Sequence, residues 1–101
     1  MNLPYFSADA MRRHLNFHDL VEHLRAGHQQ PPPEVERALM VHKSANGTEN
    51  GFLIWPAWQH ERNLGIKIVT IFPGNTDLPT VQAVYVLFDG ANGQPTALID
   101  G

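Results

Sequence analysis

A lysine in the middle of an apolar run is the first residue of this chain with chemistry to offer. Lys67 lies within Leu64-Gly65-Ile66-Lys67-Ile68-Val69-Thr70-Ile71-Phe72. Read as a strand, this run places Lys67 on one face with Gly65, Val69 and Ile71, and places Ile66, Ile68, Thr70 and Phe72 on the other. Neither face is polar, so the pattern predicts a partly buried ammonium, which is costly unless paired. Held there, the amine could clamp a carboxylate or hydrogen-bond a carbonyl. In the competing arrangement its stem snorkels from an edge strand into water. Arg37 opens the segment after a proline connector. Its guanidinium suits a carboxylate held through two parallel hydrogen bonds, or it simply ends a strand in solvent. The loop Phe72-Pro73-Gly74-Asn75, continuing to Leu78-Pro79-Thr80, offers Asn75 and Thr80 to a cleft, or serves as an ordinary connection. Trp55 and Trp58 flank Pro56 and suit either a subunit contact or a core.

Several chemistries are excluded. The chain has no cysteine, which removes disulfide stapling and thiolate catalysis. Six histidines are present, but His14 and His18 are separated by a helix break at Asn16. His18, His23 and His28 are spaced by five, which does not stack ligands on one helical face, so no metal site is expected. The net charge is −3 without a Lys/Arg run, so nucleic acid is not an expected partner. No apolar run approaches the roughly 18 residues that a membrane span requires. The start, Met1-Asn2-Leu3-Pro4-Tyr5, lacks the regions of a signal peptide. A cytoplasmic location is the default expectation.

The elements that must position these residues are legible in outline. The length of 101 residues suits one domain with a modest core. Ser7 is an N-cap with Asp9 in the first turn, so a short helix is expected to Leu15. Asn16 is a second N-cap with Asp19 at N3. Phe17, Leu20, Val21 and Leu24 then form one apolar stripe, and Gly27 suits the position just past the helix end. Pro31-Pro32-Pro33 forces an extended connector. Strands are predicted at 38–42, at 52–55 (stopping at Pro56), at 64–72, at 81–88 and at 95–99, with a polar loop from Ser44 to Gly51 and turn residues from Asp89 to Gly93. Helices first and strands after give an α+β class, with a mostly antiparallel sheet of about five or six strands. Charged residues are 17% of the chain, below the usual quarter, which suggests a surface covered by another domain or subunit. No Gly-x-Gly-x-x-Gly follows a strand, so no dinucleotide-binding half is visible. Because the chain stops directly after a strand, residues 1–101 are expected to be one domain of a longer protein.

Four stretches carry a resemblance. Tyr5-Phe6-Ser7, Trp55-Pro56-Ala57-Trp58, the run from Leu64 through Pro73-Gly74-Asn75, and Val84-Tyr85-Val86-Leu87-Phe88-Asp89 ending in Ala97-Leu98-Ile99-Asp100-Gly101 resemble the ornithine cyclodeaminase/mu-crystallin family. The resemblance covers nearly the whole chain. It implies a substrate-binding and dimerisation domain preceding a Rossmann domain that this chain lacks. It also implies NAD or NADP as cofactor, a small amino or imino acid as substrate, and a homodimer. It matches Lys67 to a substrate-binding and catalytic lysine, Arg37 to a carboxylate-binding arginine, and Thr80 to a cofactor-contacting threonine. Leu53 stands where ornithine cyclodeaminases carry a glutamate, which argues against ornithine as substrate. Two functions follow from the resemblance. One is an NAD(P)-linked oxidoreductase or cyclodeaminase whose isolated N-terminal part is inactive. The other is a mu-crystallin-like protein that binds a ligand without turnover.

Overall fold

The computed structural model describes residues 3–101. The chain begins with β1 (Tyr5–Phe6), α1 (Ala8–His14) and α2 (Phe17–His28). It continues through β2 (Glu34–Val35), β3 (Ala38–Lys43), β4 (Glu49–Gln59), β5 (Asn63–Ile71), β6 (Val81–Asp89) and β7 (Pro95–Asp100). The class is α+β, as the sequence implies. Both helix starts form on their expected caps: Ser7 accepts from the Ala10 amide and Asn16 from the Asp19 amide. Gly27 differs from expectation. It lies inside the last turn of α2, whose cap is Gln29 in the right-handed helical region. The proline run just beyond, rather than a glycine, ends the helix.

The sheet has seven strands in the order β1-β7-β6-β5-β4-β2, with β3 also pairing β4. The two strands beyond the predicted five are the two-residue β1 and β2, too short to leave a periodic signal. The pairing of β1 with β7 is parallel and the remaining ladders are antiparallel, so the sheet is mixed. The hairpin between β3 and β4 is tighter than the expected loop from Ser44 to Gly51, since β4 already begins at Glu49. Gly47 takes the left-handed conformation there, with φ 87°, which glycine adopts without a steric cost.

Proline does not stop β4, which runs through Pro56 to Gln59. In an antiparallel strand the N–H and C=O of one residue point to the same side, and the Pro56 carbonyl accepts from the Glu36 amide at 3.1 Å. The missing donor therefore faces the edge ribbon, where a proline is tolerated. β2 and β3 share one register against β4: Val35 opposes Ala57 and Ala38 opposes Ile54. The ribbon is interrupted only at Glu36 and Arg37, beside the proline that cannot return a hydrogen bond.

Very little of this sheet is covered. Val69 and Ala97, at 6% and 7% exposure, are the buried apolar side chains among the described residues. α1 meets the sheet at the adjoining β1, no residue of α1 is buried, and α2 has no comparable contact with any strand. The α2 stripe of Phe17, Leu20, Val21 and Leu24 is consequently exposed, Phe17 to 86%. The radius of gyration is 16.1 Å, against about 13 Å for a compact chain of this length. No helix among the described residues is long and apolar enough to cross a membrane.

Candidate functional site

Lys67 lies near the middle of β5, the strand between β4 and β6. It opposes Trp55 on β4 and Tyr85 on β6. Tyr85 in turn opposes Ile99, and Ile99 opposes Phe6. Directly opposed residues share a face, so Phe6, Ile99, Tyr85, Lys67 and Trp55 form one row across the sheet. The common register of β2 and β3 extends the row to Arg37, which falls opposite Trp55 in the gap between those two strands. The guanidinium carbon of Arg37 is 5.2 Å from the centroid of the Trp55 ring, within cation–π range.

The two cations of this row form no ion pair among the described residues. Among the described residues the ion pairs are Arg12–Asp9, Arg25–Glu22 and His60–Glu34, none of which involves Arg37 or Lys67. The expected partial burial of Lys67 is corrected here: the residue is exposed. Its face is apolar, but no second layer from this chain lies over it. The ammonium therefore reaches solvent from the middle of a sheet, not from an edge.

Gly65 precedes Lys67 by two positions on the same face and is buried. The Tyr85 phenol lies over it, in the space that a Cβ would occupy. Tyr85 thus lies along the sheet toward Gly65. Ala57, Gly65, Tyr85 and Leu87 line an open groove of about 260 Å³ on this face.

Thr80 is placed differently. It closes the loop after β5, its carbonyl accepting from the Phe72 amide at 2.7 Å, while the Asn75 side chain donates to the Pro79 carbonyl at 3.1 Å. Lys67 opposes Tyr85, so Thr80 lies about 17 Å further along the ladder at roughly 3.4 Å per residue. The structure brings Arg37 and Lys67 into one row and leaves Thr80 at the rim. Sequence reasoning missed Tyr85 as a site residue. A hairpin closed on Ile71 opposite Val81 would have placed it against Lys67 by counting. No three His, Asp or Glu side chains among the described residues are grouped to hold a metal ion.

A dinucleotide requires a strand–turn–helix cradle with close backbone approach. The described strand that feeds a helix directly is β1, through Ser7 into the seven-residue α1, and that turn has no glycine. Thr80, exposed at its loop, fits a single polar contact to such a molecule and no more.

Residues 6–101 match the model of the ornithine cyclodeaminase/mu-crystallin family. The chain belongs to that family. The Delta(1)-pyrroline-2-carboxylate reductase of Colwellia psychrerythraea is 33% identical over 98% of this chain and 32% of its own length. The enzyme of the same name from Paracoccus denitrificans is 33% identical over 85% of the chain and 26% of its own length. Among solved structures, a lysine cyclodeaminase described in its recognition of L-lysine, L-ornithine and L-2,4-diaminobutyric acid superposes with TM-score 0.73 at 18% identity, over 100% of this chain and 33% of that one. The Thermococcus litoralis Delta(1)-pyrroline-2-carboxylate reductase, in complex with NADH and L-proline, gives 0.69 at 22%, over 98% and 32%. At such identities these two likenesses carry the fold. The chain spans a quarter to a third of the length of these proteins.

Proposed function

We propose that this chain is the substrate-binding and dimerisation domain of an NAD(P)-dependent reductase acting on a cyclic imino acid of the pyrroline-2-carboxylate type. The observation that carries the reading is the row of Arg37, Trp55, Lys67 and Tyr85, in which two cations without an ion pair among the described residues are flanked on their face by apolar positions. The 33% identity to two pyrroline-2-carboxylate reductases supports this choice of substrate class. So does Leu53, which lies two residues before Trp55 on the same face and has no charge to offer the distal ammonium of a diamino acid.

In this reading Arg37 and Lys67 hold the substrate carboxylate through charge-assisted hydrogen bonds, and the Lys67 amine also polarises the C=N bond. A nicotinamide cofactor, bound mainly by a Rossmann domain outside these residues, supplies the hydride when present. Thr80 contributes one contact to it from the rim of the sheet. This domain's part is orientation: it fixes the imine against the reacting face and excludes water once its open side is covered. The same uncovered apolar surface is what a second copy and the cofactor domain would occupy, hence a homodimer.

The test is Lys67→Met in the full-length protein, assayed with Δ1-pyrroline-2-carboxylate and NADH or NADPH. Losing one partner of a charge pair on the order of 2–5 kcal/mol corresponds to a fall in kcat/KM of roughly 30-fold to several-thousand-fold. The melting temperature should hold, since the ammonium makes no ion pair among the described residues. Residues 1–101 alone are expected to be inert in the same assay. Wild-type kcat/KM in a folded Lys67→Met protein would overturn the role of Lys67.

A further inference from the structure

Trp55 stands between the two cations of the row. Its ring underlies the Arg37 guanidinium at 5.2 Å, and its backbone position opposes Lys67. Arg37 itself is poorly fixed by its own segment. It occupies the break between β2 and β3, where the ladder lapses beside Pro56, and no carboxylate among the described residues anchors it. An arginine on an interrupted edge has many rotamers to lose on binding an anion. The indole face restricts that freedom without consuming a guanidinium N–H, because a cation–π contact uses the ring quadrupole and leaves the hydrogen-bond fork open. A glutamate in the same place would hold Arg37 as well but would also neutralise it.

We infer that Trp55 is a positioning residue that presents Arg37 to the substrate carboxylate from across the row. The inference rests on the proposed reading that Arg37 and Lys67 bind that carboxylate. Trp55 does not touch the reacting atoms in this account. It sets how much of the Arg37 population is poised, so its loss weakens substrate binding more than turnover.

The experiment uses the full-length protein with Δ1-pyrroline-2-carboxylate as probe. Trp55→Leu and Trp55→Val remove the ring and should raise KM about 3- to 30-fold, the range that a cation–π contact spans, with kcat changed less than about twofold. Trp55→Phe keeps a ring and should restore KM to within about threefold of wild type. In an Arg37→Met background, removing the ring should cost nothing further, since the two residues act through one contact. A structural role for Trp55 would instead lower the melting temperature equally in both backgrounds and would not be rescued through KM. If Arg37→Met is severe while both ringless variants keep wild-type KM, the inference fails and the reading of the site stands. If the ringless variants raise KM equally with and without Arg37, the inference fails as well. Should the wild-type protein turn over no cyclic imine, the reading of the site falls, and this inference with it.

Discussion

Gly65 shows how strictly single residues are set around Lys67. A glycine within a strand ordinarily weakens it. Here the Tyr85 phenol occupies the space above its α-carbon, so the absence of a side chain is what lets Tyr85 lie along the sheet. Gly65→Ala should push the ring away and cost about 1 kcal/mol, the low end for overpacking because the ring tip can swing into open space. Chemical denaturation of Gly65→Ala alone and combined with Tyr85→Ala checks this. The penalty should vanish when the ring is gone, and an undiminished penalty would place the clash elsewhere. The types of Lys67 and Arg37 made them candidates from sequence alone, because a cation in an apolar run is conspicuous. Their alignment was not legible. It depends on the register of four strands and on the gap beside Pro56, neither of which leaves a mark within any single segment.

The elements that sequence reading recovered are those with local causes. Ser7 and Asn16 cap their helices through their own side chains, and the β6–β7 turn forms on Asp89 to Gly93, with the Gly93 amide donating to the Asp89 carbonyl at 2.8 Å. What escaped has its cause elsewhere in the fold. β1 exists because β7 offers an open edge, and β4 passes through Pro56 because the missing donor faces an interrupted ribbon. The β4–β5 hairpin turn has a feature that its residue types do not announce. Glu61 takes φ 65° at its turn, a conformation that disfavours residues with a bulky side chain and suits asparagine better. Glu61→Asn should therefore stabilise the hairpin by up to about 1 kcal/mol. Thermal melts of the full-length protein read this directly, and an unchanged or lowered midpoint would show that Glu61 is not strained.

At the scale of the whole molecule, the chain is built around a surface it does not cover. Both faces of β4 and β5 carry large apolar residues: Trp55 on one, Phe52 and Trp58 on the other, all exposed. The α2 stripe adds Phe17, Leu20, Val21 and Leu24. Exposed apolar residues in such number mark interfaces. The full-length protein should therefore sediment as a dimer at micromolar concentration, and a clean monomer there would contradict the dimerisation role. The low content of charged residues had suggested a covered surface from composition alone. Which surfaces are open could be seen only once α2 was found without a strand packed against its stripe.

The parallel pairing of β1 with β7 has a kinetic corollary. Tyr5 meets Leu98, and the Leu98 amide donates to the Pro4 carbonyl at 2.9 Å, so the contact joins residues at opposite ends of the chain. During synthesis the first strand has no partner until Leu98 and Ile99 have left the ribosome. Closing so long a loop carries an entropic cost and slows the step that needs it. β1 is thus a latch placed to shut last, while α1, capped by its own Ser7, can form before it.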